Sequence, residues 1–516
     1  MKKILFILTF LVISVIANAQ QTYYWFGGAG NWSDVNHWSL SSGNSGAVLA
    51  PQVPTVLDNV VFDDNSGFGT TLASRTVNFT AVSYANDFSV LTTASGNAPL
   101  FSNSNSDTNF PYIKGNFLLS PNTVWNVRHV SWGTSDPSET VTIQTNGVSM
   151  QNIRFDDTGT KSLLSPLTAN NDFLNTAGTV NTNSHSFYIG GQVILSTSAG
   201  TLNFSNSEVS AVRFVIPNSI INSTNIIIVR GGAGDIALQV RNNSTLNKVR
   251  LMAGGTVRTN GSTFAELQLD NHAAIESSNT ITTLKLAPAK QFTFVGGQTT
   301  TVGTLDANTP DCVGLMELMS NNTTRANLRM VSGTVNIPNV RITGINATGG
   351  ATFTATGVDN GNNLGWTFVL PAPKTIYWVG GADGNWNNQA NWSATSGGAG
   401  GYCIPTQFDD VIFNAGSNVA TPINIVGVQG YCKSITVNGV TGTPNFNSGT
   451  LNIYGSSVWQ AGMRYNLTTW YRGNLLTNTL TNNGVSFLQD VYFDNNTGGW
   501  TLNDALTLNG THLLFN

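Results

Sequence analysis

Charge is what this chain has least of. Across 516 residues, Asp, Glu, Lys and Arg make up 9%, against roughly 25% in ordinary soluble proteins. The formal net charge is only −4. A surface so short of cations offers no basic patch for nucleic acid or anionic lipid. Cysteine is also scarce, at three residues, an odd number in which at least one thiol stays unpaired within the chain. Beyond residue 19 no apolar run approaches the roughly 18 residues of a membrane-spanning helix. No stretch of the mature sequence carries a helical 3.6-residue period, and the helix formers Glu and Lys are rare.

What fills the chain instead is Gly (53 residues), Asn, Ser and Thr, with abundant Val, Ile and Phe. Hydrophobic content of 40% is enough to build a core and argues against disorder. The N-terminus reads as a secretory leader: Lys2-Lys3, the apolar run Ile4 to Ile16, then Ala17-Asn18-Ala19 as a small-x-small cleavage site. The reading places a signal peptide at 1–19 and the protein outside the cytoplasm, secreted or on the cell surface.

Short runs such as Val141-Thr142-Ile143-Gln144, Thr201-Leu202-Asn203-Phe204 and Gln291-Phe292-Thr293-Phe294 alternate apolar and polar residues between Asn- and Gly-rich corners. Period-two alternation is the half-buried strand signal. Immunoglobulin-like domains would repeat near 100 residues, and no such period is present. The expected fold is therefore all-β: a right-handed parallel β-helix, or β-solenoid, in two tandem modules. Each turn buries its face on the next, so such an array needs many turns and capped ends.

One segment occurs twice, about 350 residues apart. Tyr24-Trp25-Phe26-Gly27-Gly28 with Gly30-Asn31-Trp32 and His37-Trp38-Ser39 returns as Tyr377-Trp378-Val379-Gly380-Gly381 with Gly384-Asn385-Trp386 and Asn391-Trp392-Ser393. Pro54 with Asp58-Asn59-Val60-Val61-Phe62 returns as Pro405 with Asp409-Asp410-Val411-Ile412-Phe413. The first module is expected over 20–370, a Pro371-Ala372-Pro373 linker over 371–376, and a second module over 377–516. The second stops in mid-coil at Asn516, so a fragment of a longer chain, continuing into further modules, is expected.

The paired openings, the Pro…Asp-x-Val-x-Phe segments and the closing Asp359-Asn360-Gly361-Asn362-Asn363-Leu364-Gly365-Trp366 resemble very large secreted surface proteins. Those proteins belong to Gram-negative bacteria that export cargo through a type IX secretion system. The Gly-Asn-Trp…Asn-Trp opening is also similar to repeats of autotransporter passenger domains. The resemblance covers nearly all of the mature chain and implies an adhesin-like surface solenoid. It names no ligand, and no C-terminal sorting domain precedes Asn516.

Three sets of residues are candidates for chemistry. Trp25, Trp32, Trp38, Trp378, Trp386 and Trp392 would stack on extracellular glycans if exposed, or plug the ends of the core if buried. Their place at the start of each module favours the plug. Asp359, Asn360 and Asn362 form an oxygen-rich glycine loop that would suit a structural calcium, although the spacing is not that of an EF-hand. Asp63-Asp64 and Asp156-Asp157 read as loop caps. Cys403 and Cys432 are both missing from the matching positions of the first module, Gln52 and Ala85, so they are expected to form one disulfide. Cys312 is then left without a partner.

The series Arg213, Arg230, Arg241, Arg250 and Arg258 is the only basic feature a polysaccharide lyase would use. The five histidines are scattered, and no nucleophile elbow or phosphate loop appears. The expected function is a non-catalytic, adhesin-like surface scaffold with no cofactor beyond the calcium. A carbohydrate-binding protein using the Trp motifs is the alternative, and a β-helix lyase a more distant one. A host surface is the other partner class, and no nucleic acid is expected.

Overall fold

The computed structural model describes residues 20–516, except 44–47, 94–96, 134–135, 196–199, 218–219, 232–233, 242, 311, 313, 381–382, 496, 510–511 and 516. The expected leader, 1–19, lies outside the described residues. The protein is a parallel β-solenoid of about 20 turns with almost no helix. Among the described residues no helix is long and apolar enough to cross a membrane.

The turns follow from the alternation. The strand Asn59–Phe62 buries every second residue, and parallel pairing stacks each inward residue on its counterpart one turn later. Val60 thus pairs with Phe88, Phe88 with Phe117, Phe117 with Ile143 and Ile143 with Leu163. Edge-to-face aromatic contacts climb through Phe117, Trp132, Phe155, Phe173 and Phe187, with ring centroids 5.1–5.3 Å apart. Offset and edge-to-face arrangements suit the ring quadrupoles.

The chain divides into two compact units, one running to Ala253 and including Arg258–Ser262, the other comprising Gly254–Val257 and Thr263–Asn516. In the first, a ten-stranded sheet and a four-stranded sheet are joined by two further parallel ladders. Those ladders run from Ser83–Ala85 through Ile236–Val240 and from Leu167–Ala169 through Thr245–Leu251. In the second unit, ladders from Ala273–Ile275 through Trp366–Val369 and from Thr263–Leu269 through Ile345–Gly349 come first. A strandless stretch, 370–374, follows, and new seven-, five- and five-stranded sheets begin with Thr375–Trp378.

Asparagine holds the corners. Asn59 Oδ1 accepts from Asn86 Nδ2 (2.9 Å) and from the Asp87 amide (3.1 Å). Asp87 then accepts from the Asn116 amide (2.7 Å), and Asn116 from the Thr142 amide (2.8 Å). On an outward row, Asn203 donates to Asn181 (2.8 Å) and Asn222 to Asn203 (2.7 Å). An amide both donates and accepts, so one residue type satisfies the turn above and the turn below. Like charges on successive turns would repel in such a stack, and neutral amides avoid that repulsion.

The duplicated openings fold alike. Trp38–Ser39 pairs antiparallel with Thr22–Trp25, and Trp392–Ser393 with Thr375–Trp378, each ending an otherwise parallel sheet. The following Pro-Thr-x-x-Asp turns also match. Asp58 accepts from the Thr55 amide (2.9 Å) and hydroxyl (2.7 Å), and Asp409 from those of Thr406 (2.8 and 2.6 Å).

Candidate functional site

Trp25, Trp38, Trp378, Trp386 and Trp392 are at most 1% exposed and Trp32 is 3% exposed. Four of the indole nitrogens donate to protein carbonyls: Trp25 to Gly28 (2.7 Å), Trp38 to Trp32 (2.9 Å), Trp378 to Asn418 (2.9 Å) and Trp392 to Trp386 (2.6 Å), while the Trp386 nitrogen is buried without a hydrogen-bond partner. The rings pack on one another and on Phe62 or Phe413. A sugar needs an open ring face, and these faces are covered, so the Trp sets plug the core and do not form the glycan platform.

The glycine loop closes as a hydrogen-bonded turn. Asp359 Oδ1 accepts from the Gly361 amide (3.0 Å) and from Asn363 Nδ2 (2.6 Å). Asn360 donates to Thr343 Oγ1 (3.0 Å), and Asn362, at φ 56°, donates to the Thr323 carbonyl (2.8 Å). Asn360 and Asn362 thus tie neighbouring turns together, while Asp359 closes its own loop. Among the described residues no group of three or more His, Cys, Asp or Glu side chains is placed to hold a metal ion. The Asp63-Asp64 pair caps loops: Asp63 accepts from the Asn65 amide and Asp64 from the Thr93 amide and hydroxyl.

The disulfide differs from the expectation. Cys403 bonds Cys312, and Cys432 is a buried free thiol. Cys432 ends the strand Gly430–Cys432, in register with Ile453, and its side chain points into the core with Sγ 3.9 Å from the Asn452 carbonyl. Cys403 lies in the segment between two strands and meets the loop that carries Cys312. Both cysteines are absent from the matching positions of the first module, but absence together does not require contact.

The Arg series is spread over different ladders. Arg213 opens the strand Arg213–Ile216 and pairs with Asp235 (3.1 Å), while Arg250 lies in the strand Thr245–Leu251 of another ladder. Arg230 lies over the Tyr188 ring, 4.4 Å from its centroid, and donates to Ser210 Oγ (2.7 Å).

A feature not anticipated from sequence is a polar cleft of about 780 Å³ in the first unit. It runs along one corner of successive turns, after the strands Leu100–Ser102, Val124–Asn126 and Leu167–Ala169 and before Asn152–Phe155. Arg128, Gln151, Asn152, Asn170, Asn171 and Asp172 are among its lining residues. Arg128 pairs with Asp107 at 2.6 Å, and Asn171 donates to Gln151 Oε1 at 3.3 Å. Gly190 lies here because a Cβ would collide with the Asn170 carbonyl as the turns close up. Amide side chains repeating at the inter-turn spacing of about 4.8 Å present donors and acceptors suited to rows of sugar hydroxyls. The sequence signal is a run of Asn-Asn and Gly-Gly pairs at corner positions, visible only once the turns are in register.

No protein-family model matches the chain, and neither a curated protein nor a solved structure matches it.

Proposed function

We propose that this chain is an exported, surface-displayed scaffold: a non-catalytic, adhesin-like array of stacked turns that presents repeated polar contacts. The observation that carries this reading is the division of labour in each turn. The interior is filled by interlocking aromatic and aliphatic side chains, while corners and outward rows are built from Asn, Ser and Thr that already satisfy one another. A surface of that kind contacts many weak partners in parallel, and multivalency raises avidity without one tight site. The leader-like N-terminus and the resemblance to type IX-exported surface proteins support the location.

A second reading is favoured by the cleft. Its amide rows and Arg128 are suited to an extended glycan, which would replace the tryptophans as the carbohydrate contact. The test is retention of the mature chain, residues 21–516, on a panel of immobilised polysaccharides and host glycans, with and without Ca²⁺. The scaffold reading predicts weak, broad retention that Arg128→Ala leaves unchanged. Saturable retention on one polysaccharide, lost on Arg128→Ala or Asn171→Ala, would establish the second reading. Release of new sugar ends from any polysaccharide in the panel would overturn both.

A further inference from the structure

Lys161 stands where the fold calls for an aliphatic residue. Its inward column reads Val141, Lys161, Val180, Leu202, Ile221 in consecutive turns. The other four are at most 2% exposed. The Lys161 side chain is itself 2% exposed, and the one it meets, Asp157, is 4% exposed. Lys161 Nζ is in direct contact with Asp157 Oδ1, and the Phe155 ring lies 5.8 Å from the nitrogen. Glu139 ends the segment one turn below, where its carbonyl accepts from the Thr160 amide, and its carboxylate acts electrostatically on the lysine.

We propose that Lys161 and Asp157 are joined by an intramolecular amide, Nζ to Cγ, that forms within the folded turn and releases one water. A buried ion pair is costly to desolvate, and burial lowers the lysine pKa, which favours the neutral, nucleophilic amine; its proton passes to the Asp157 carboxylate it touches as the step begins. The Nζ lone pair attacks Cγ and the C–N bond forms. The proton that Nζ loses passes to the departing hydroxyl. The C–O bond breaks and water leaves. The reactants are one amine and one carboxylic acid, the products one amide and one water, with no oxidant or activated ester. Holding the two groups in contact supplies the proximity such a step needs. The bond would lock the corner between the loop that follows Asn152–Phe155 and the strand Thr160–Leu163.

The test is the mass of the purified, reduced and denatured mature chain. The amide predicts a mass one water below that of the sequence, and a Lys161 that trypsin does not cut. It also predicts a peptide spanning 157–161 that yields no backbone fragments between those positions. Lys161→Arg and Asp157→Ala should each restore the full mass. A wild-type chain of full sequence mass, cut after Lys161, overturns the proposal. So does loss of water with Lys161 still cleavable, which would mark an aspartyl succinimide. The decisive reading is on the wild type and does not require any variant to fold.

Discussion

Trp378 and Trp392 meet edge to face, ring centroids 4.9 Å apart at 83°, and are partners in the antiparallel pair that ends the second module's sheet. Trp25 and Trp38 repeat this in the first module at 5.0 Å and 89°. The two plugs are built differently around that shared contact. In the first, His37 stacks on Trp25 at 4.7 Å and bonds the Phe26 carbonyl, and Gly30 leaves the room its ring occupies. In the second, Asn391 stands at the matching position and donates to Asp383 at 2.8 Å.

Truncating a plug tryptophan should therefore act on stability. Trp392→Ala, and likewise Trp38→Ala, is expected to cost about 3–5 kcal/mol. Denaturant unfolding followed by the remaining tryptophan fluorescence measures it. An unchanged midpoint would mean that the plug is not part of the cooperative core.

The second plug should also be acid-sensitive in a way the first is not. Bonds from Asn391, Asn388 and the Asn385 amide hold the Asp383 carboxyl below its ordinary range. A depressed folded-state pKa stabilises fully above the ordinary value of about 4 and loses that contribution as pH falls through the folded value. Asp383→Asn is expected to flatten the acid limb of stability against pH, as read by thermal melts between mild and strongly acidic buffer. The first module runs from Ala29 directly to Gly30, with no counterpart of Asp383, so a local probe there should show no such acid loss.

Reduction should loosen the second unit. The Cys312–Cys403 bond spans a sequence separation of 91, and removing a native disulfide of this kind costs about 2–5 kcal/mol. Cys312→Ser and Cys403→Ser should lower the melting temperature equally, and the double variant no further. Non-reducing peptide mapping should recover 312 linked to 403. A 403–432 link would refute the pairing.

Cys432 should be chemically silent in the native protein. Burial pushes its thiol pKa well above the usual value, and the side chain is not exposed. Iodoacetamide at mildly alkaline pH is expected to leave it unmodified until denaturant is added, as followed by mass. Rapid native labelling would place Cys432 at the surface.

Much of this architecture is legible in the chain. The alternation in Asn59–Phe62 and the repeated Pro-Thr-x-x-Asp turn are local, because side-chain direction in a strand depends only on whether a position is odd or even. The duplicated Trp openings required only comparison of the chain with itself. Their ambiguity between sugar platform and plug was settled by burial, since one sequence pattern serves either role until the next turn covers the rings.

The remaining features depend on which turns become neighbours. Cys403 found Cys312, 91 residues away on another loop, and not Cys432, which sits in a strand in register with Ile453. The cleft arises where Arg128, Gln151 and Asn171, from separate turns, line up at one corner. Lys161 marks the dividing line. Alternation alone puts it on the same face as Leu163, but only the parallel register shows that face turned inward, between Val141 and Val180. The sequence by itself determined the strand period, the duplication and the near absence of charge, because these are set within a few residues or by composition. Tertiary structure decided partners and burial, because a register some 20 residues long is the sum of every corner along the turn and belongs to no single motif.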